Sequence, residues 1–136
     1  MGEEKQALKK VEGEKPRGVE TATPFHCSTP VQIRYTDLDL QGHVNNSVYL
    51  NFFDLAKIDY FNRVKGGNVD WENANVVIAG MKIDFMQPTL FVDTVAVETQ
   101  TVRLGNKSVT LLQQLINTEN HELKCQCVTT MVLPGF

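Results

Sequence analysis

What is scarce in these 136 residues sets the first limits. Cysteine occurs three times, an odd number, so a disulfide framework is a poor reading of the chain. Basic residues are not in excess. Thirteen Lys and Arg stand against sixteen Asp and Glu, for a formal charge of −3, whereas counterion release from nucleic acid needs the opposite balance. The longest apolar runs, such as Val76 to Ala79, fall far short of the roughly 20 residues that span a bilayer. The opening MGEEKQALKK carries four charges in its first nine residues, with no apolar stretch of about 7 to 15 residues to act as a signal core. These absences predict a soluble, cytoplasmic protein that binds neither nucleic acid nor membrane. No internal repeat or low-complexity tract interrupts the chain.

What is present describes one globular domain. Hydrophobic residues make up 42% and charged residues 21%, and a single core usually organises about 100 to 200 residues. A composition boundary lies at Phe25. Residues 1 to 24 hold five acidic and five basic side chains, two Pro and no aromatic residue, so the expectation is a solvated, disordered tail at 1–24 and a folded domain at 25–136.

Within that domain, Val31-Gln32-Ile33-Arg34-Tyr35-Thr36 alternates apolar and polar residues and predicts a first strand. A polar loop, Asp37 to His43, follows, and then Asn45, Asn46 and Ser47 as candidate helix caps. From Val48 to Val64 apolar side chains occur on nearly every face, which predicts a buried helix. Beyond the Gly66-Gly67 break, residues 74–87, 91–103, 107–118 and 122–133 are rich in Val, Thr, Ile and Leu and predict four long strands. Tight connections at Leu104-Gly105-Asn106 and at Thr118 to His121 make the last three antiparallel neighbours. The order β-α-β-β-β-β calls for an α+β architecture, a curved five-stranded antiparallel sheet wrapped around a central helix.

The densest cluster of reactive groups, Asp37, Asp39, Gln41, His43, Asn45 and Asn46, lies where the first strand gives way to the helix. The unpaired amides and positive dipole end of a helix N-terminus favour an anion there. The bland alternative is that Asp37 and Asn46 only cap and shape the turn.

The run Ile33-Arg34-Tyr35-Thr36-Asp37-Leu38-Asp39-Leu40-Gln41-Gly42-His43-Val44-Asn45-Asn46, followed by Tyr49-Leu50 and an aromatic helix, resembles the signature of the 4-hydroxybenzoyl-CoA thioesterase-like family of hotdog-fold proteins. The resemblance covers about residues 26 to 133. It implies the hotdog fold, an acyl-CoA substrate, and homodimers or homotetramers with the active sites at subunit interfaces. It also implies that Asp39 is the catalytic carboxylate, that the Asn46 amide polarises the thioester carbonyl, and that Gly42 and Tyr49 belong to the substrate site. His43 matches a Gly-His-Val-Asn-Asn variant similar to plant acyl-carrier-protein thioesterases, in which the histidine takes part in catalysis. Those enzymes carry Asn where this chain has Gln41, and their second acid has no match near Met86-Gln87. His43 is therefore either catalytic or a hydrogen-bonder that orders the loop. On the hairpin Arg103 to Ser108, Lys107 and Ser108 match positions that grip CoA phosphates, while an exposed turn lysine is the plainer reading of Lys107.

The chemistry is self-consistent. A thiolate leaving group has a pKa near that of Cys, about 8.5, and departs with little help, so one carboxylate and one oxyanion donor suffice. Asp39 would act as general base on water or as nucleophile through a mixed anhydride. No cofactor is called for, CoA being part of the substrate. His121, Cys125 and Cys127 do not make a zinc site, because the two cysteines alternate with Leu123, Thr129 and Met131 as buried small hydrophobes and no second Cys or His pair completes a tetrahedron. Asp54 and Asp59 on the helix are either a candidate second acid or surface partners of Lys57 and Arg63. The sequence thus points to an acyl-CoA thioesterase. An acyl-carrier-protein thioesterase, a hotdog dehydratase and a non-catalytic acyl-CoA-binding protein are the alternatives, and the folded part, with eight basic and eleven acidic residues, offers no net basic surface to an acidic carrier.

Overall fold

The computed structural model describes residues 27–64, 66 and 76–132. The tail expected at 1–24, Phe25, His26, Gly67, residues 74 and 75 and the end of the chain from 133 lie outside the described residues. Five strands, β1 (Cys27–Val31), β2 (Val77–Phe85), β3 (Val95–Leu104), β4 (Ser108–Asn117) and β5 (Leu123–Val132), form one sheet in the order β1-β3-β4-β5-β2. All four pairings are antiparallel. Among the described residues one long helix, α1 (Val48–Val64), packs against it.

The first strand lies upstream of the alternating stretch that predicted it. Cys27 to Val31 pair with Thr99 to Val95 at the sheet edge, where Pro30, which has no amide to donate, is tolerated. The alternation after Val31 belongs to a lone irregular segment. Ile33 still turns into the core, but Tyr35 is 77% exposed and begins a 3₁₀ turn, Tyr35–Asp37. The strand expected from residue 91 starts instead at Val95. Residues 90 to 93 form a turn in which the Asp93 amide donates to Leu90 O (3.0 Å) and the Leu90 amide to Asp93 Oδ2 (2.8 Å). Both expected tight connections are present, closed by Gly105 N to Ser108 O (2.8 Å) and His121 N to Asn117 O (2.8 Å).

The helix spans the expected residues but is not buried all round. Tyr49, Phe52, Phe53, Ala56 and Tyr60 face the sheet, whereas Leu55 and Ile58 are about half exposed, because one sheet covers only one side. The fully buried Phe53 packs with Val95, Val97, Leu115, Cys125 and Cys127, and burying a side chain of that size contributes roughly 1.5–3 kcal/mol. Nearer the helix C-terminus, Tyr60 packs with Val109, Leu111 and Met131 and shares a 2.7 Å hydrogen bond with Thr101. Asp54 and Asp59 are ion-paired, the exposed Asp54 with the buried Lys57 at 3.3 Å and the part-buried Asp59 with Arg63 at 3.1 Å. Thr29 adds a 2.6 Å hydrogen bond to Asp59 and so ties β1 to the helix.

Candidate active site

The loop between β1 and α1 is shaped by its own side chains. Asp37, almost fully buried, accepts from the Arg34 amide (2.8 Å) and the Arg34 guanidinium (3.1 Å), closing the 3₁₀ turn. Its carbonyl accepts from the Asn45 amide at 2.8 Å. Both ends of Asp37 are thus engaged in holding the turn. Asn45 supplies the cap: its Oδ1 accepts from the Ser47 amide (3.1 Å), while its carbonyl takes the Val48 amide (2.9 Å).

Asp39 sits at the tip. Its Oδ1 accepts from the amides of Gln41 (2.9 Å) and His43 (3.1 Å), while its own amide donates to His43 O (2.8 Å). This knot requires Gly42, whose φ of 77° lies in the left-handed region and whose amide returns to Asp39 O at 3.0 Å. One carboxylate oxygen is therefore fixed, and among the described residues the other has no hydrogen-bond partner.

A cleft of about 280 Å³ opens beside this knot. Asp39, His43, Val44, Asn46 and Tyr49 line one side, and Phe85, Met86, Gln87 and Pro88 line the other. Among the described residues the Asn46 amide, two residues before α1, makes no hydrogen bond. Tyr49 closes the depth of the cleft, donating to Thr89 Oγ1 at 2.8 Å with its ring edge-on to Phe85. Burial pushes the Tyr49 phenol above its ordinary pKa, against the opposing pull of the Thr89 bond, so the group stays a neutral donor.

The structure thus brings Asp39, His43, Asn46 and Tyr49 to one cleft, with Gly42 shaping the loop behind them. Lys107 and Ser108 are elsewhere. They sit at the hairpin that opens β4, whereas Phe85 on the cleft wall lies level with Leu115 toward the other end of that strand, roughly 25 Å along it at the rise of an extended strand. Cys125 and Cys127 are fully buried on the helix-facing side of β5, and burial pushes the Cys125 thiol up to about 12. Among the described residues no group of three or more His, Cys, Asp or Glu gathers as metal ligands.

Lys124 is a member of this region that sequence reasoning missed. It is buried on β5, yet its ammonium donates to Pro88 O (3.1 Å) and pairs with Asp93 (3.2 Å) and with Glu122. Desolvation acts to lower its pKa, but the hydrogen bonds and charges of Glu122 and Asp93 outweigh that and raise it. The signal in the sequence was a lone cation inside a strand otherwise built for a core.

Comparison with known proteins gives the family and the fold. Residues 41–124, more than half of the chain, match the family described as the thioesterase superfamily. The chain belongs to that superfamily, and its five-stranded antiparallel sheet packed on α1 is the hotdog fold of its structural neighbours. A thioesterase from Thermus thermophilus, solved with coenzyme A and zinc, is 35% identical with a TM-score of 0.72, covering 81% of this chain and 85% of that one. The long-chain acyl-CoA thioesterase FadM of Escherichia coli (strain K12) is 29% identical over 94 residues, 67% of this chain and 69% of FadM. The uncharacterised protein YsmA of Bacillus subtilis (strain 168) is 27% identical over 94 residues, which span 68% of this chain but only 62% of YsmA.

Proposed function

We propose that this protein hydrolyses an acyl-CoA thioester to the free acid and CoA, with Asp39 as general base. The observation that carries the reading is the Asp39 carboxylate, held by two backbone amides through one oxygen, on the cleft that Asn46 also lines. A water beside the second oxygen gives its proton to Asp39 and attacks the carbonyl carbon. The developing oxyanion receives the Asn46 amide, aided by the positive end of α1. The C–S bond then breaks, and the CoA thiolate leaves without requiring a strong acid, since thiols of this kind ionise near pH 8.5, as free Cys does at about that value. In this scheme His43 acts through its main chain, which both donates to and accepts from Asp39. The CoA substrate is supported by the Thermus thermophilus thioesterase, 35% identical and solved with coenzyme A.

The working unit in this reading is a homodimer, or a tetramer of two such pairs. Strand β2 is a sheet edge, and its Val77, Ile78, Met81 and Phe85 are 39–56% exposed, a row of apolar side chains that a second copy would cover. Antiparallel pairing of β2 with its copy would set the far end of one sheet beside the cleft of the other. The partner subunit's Lys107 and Ser108 then come within reach of the CoA phosphates. Three unpaired thiols, all buried, fit a reducing cytoplasmic setting. Thiol release from a panel of acyl-CoA and acyl-carrier-protein thioesters tests the whole reading. Turnover of CoA esters is expected, and turnover of carrier esters alone, or of none, overturns it.

A further inference from the structure

The cleft has two walls of different origin. In the wall bearing Asp39, His43 and Asn46, the carboxylate of Asp39 is held by contacts within four residues of chain. The facing wall is Phe85, the last residue of β2, followed by Met86 to Pro88, an irregular segment between β2 and β3 that belongs to no strand. Its bonds converge instead on Lys124. The amides of Met86 and Gln87 both donate to Lys124 O, at 2.9 and 3.1 Å, and the Lys124 ammonium reaches past them to Pro88 O at 3.1 Å.

The same ammonium is clamped from the other side by the carboxylates of Glu122 and Asp93. Asp93 is itself fixed, by the Leu90 amide at 2.8 Å and the Asn117 amide group at 3.2 Å. Thr89 and Leu90, next along the chain from Pro88, pass this anchoring across the cleft. Thr89 O accepts from the Val44 amide (2.8 Å), Thr89 Oγ1 accepts from Tyr49, and Leu90 bridges to His43. Lys124 is therefore not among the residues that line the cleft, yet both its carbonyl and its ammonium tie the Met86–Pro88 segment to β5.

We propose that Lys124 is the positioning residue of the substrate cleft: clamped by Asp93 and Glu122, it holds the Met86–Pro88 wall at its working distance from the Asp39 loop. This inference rests on the proposed thioester hydrolysis for its kinetic consequence, though not for its structural one. A buried cation serves better than an apolar residue because three acceptors, Pro88 O and the carboxylates of Asp93 and Glu122, converge on one point, and a cationic side chain with several N–H donors can satisfy all of them at once. Its charge is balanced by carboxylates that do not face the cleft, so it anchors the wall without drawing the anionic substrate away from Asp39.

The test compares the full-length protein with Lys124→Met, which keeps length and loses donors and charge, and with Lys124→Arg, which restores both. Met131→Ala, a core truncation at the opposite end of β5, serves as the control for general loosening. Losing hydrogen bonds from a charged donor should raise KM for the acyl-CoA roughly tenfold, while kcat stays within about threefold, the signature of lost binding rather than lost chemistry. Lys124→Arg should bring KM back to within about threefold of wild type, and Met131→Ala should lower the melting temperature without moving KM. Amide hydrogen exchange at residues 86–90 should accelerate in Lys124→Met and not in Met131→Ala.

Should Lys124→Met fail to fold, Asp93→Asn, which removes one arm of the clamp and leaves an acceptor for Leu90, should raise KM and exchange in the same direction to a smaller extent. An unchanged KM with unchanged exchange at 86–90, or an equal KM rise in Met131→Ala, overturns the proposal. If the wild type released no thiol from any acyl-CoA, the proposed function would fall. The exchange comparison would still decide whether Lys124 holds the wall.

Discussion

Replacing Asp39 by Asn separates chemistry from architecture at this site, because the structure shows what the substitution keeps. The amides of Gln41 and His43 both donate to Oδ1, at 2.9 and 3.1 Å, and an Asn carbonyl oxygen can accept both from the same place. The loop, Gly42 included, is then held as before, and because the side chain is exposed the melting temperature should move by no more than about one or two degrees. The second oxygen loses its basicity. The worth of a positioned general base is about 10² to 10⁴ in rate, so kcat for acyl-CoA hydrolysis should fall by roughly that factor with KM little changed. Asp37→Asn is the matched comparison two residues away. Asp37 is 2% exposed and accepts from the Arg34 amide and guanidinium, so its loss should cost about 1–2 kcal/mol, a drop of about 4–8 °C, with kcat within a few fold of wild type. The assay is thiol release under steady-state conditions, paired with a thermal melt of each variant. If Asp39→Asn retained most of its kcat, or if Asp37→Asn lost rate without losing stability, the assignment of the base would be wrong.

Other perturbations read different parts of the structure. Gly42→Ala has open space around the new methyl but forces an L side chain to φ 77°, so it should cost about 1–2 kcal/mol in a urea titration and lower kcat by shifting the amides that hold Asp39. Burial holds the Cys125 thiol neutral up to about 12, far above its ordinary value near 9, and Cys127 is shifted the same way. A raised native pKa favours folding while the group is protonated, so stability should be flat below about pH 8.5 and decline by up to about 1.4 kcal/mol per pH unit for Cys125 as pH rises from 9 toward 12, with Cys127 acting in the same direction. Urea midpoints at about pH 7.5, 9.5 and 10.5 check this, and an unchanged midpoint at the highest pH counts against it. Met81→Lys, on the exposed β2 edge, should leave the fold intact but yield a monomer by sedimentation with little activity; a fully active monomer would refute the interfacial site.

The parts of this protein that depend on near neighbours were legible in the chain alone. The knot around Asp39 uses partners two and four residues away, the Asn45 cap reaches two residues, and the Asp37 turn reaches back three, so side-chain type and spacing carry nearly all the information. The long strands and their hairpins could be read for the same reason, since β-branched runs and tight turns are local choices. Long-range packing settled the rest. The alternation beyond Val31 meets no ladder because β3 pairs with Cys27 to Val31 instead, and which segment faces an available edge is not written in either segment alone. The apolar helix predicted to be buried all round shows half of itself to the surface, because the number of layers that cover a helix belongs to the whole fold. The far wall of the cleft also came only from the fold. Lys124 lies 36 residues from Pro88 and 31 from Asp93 along the chain, and only the pairing of β2 with β5 brings the lysine beneath that wall.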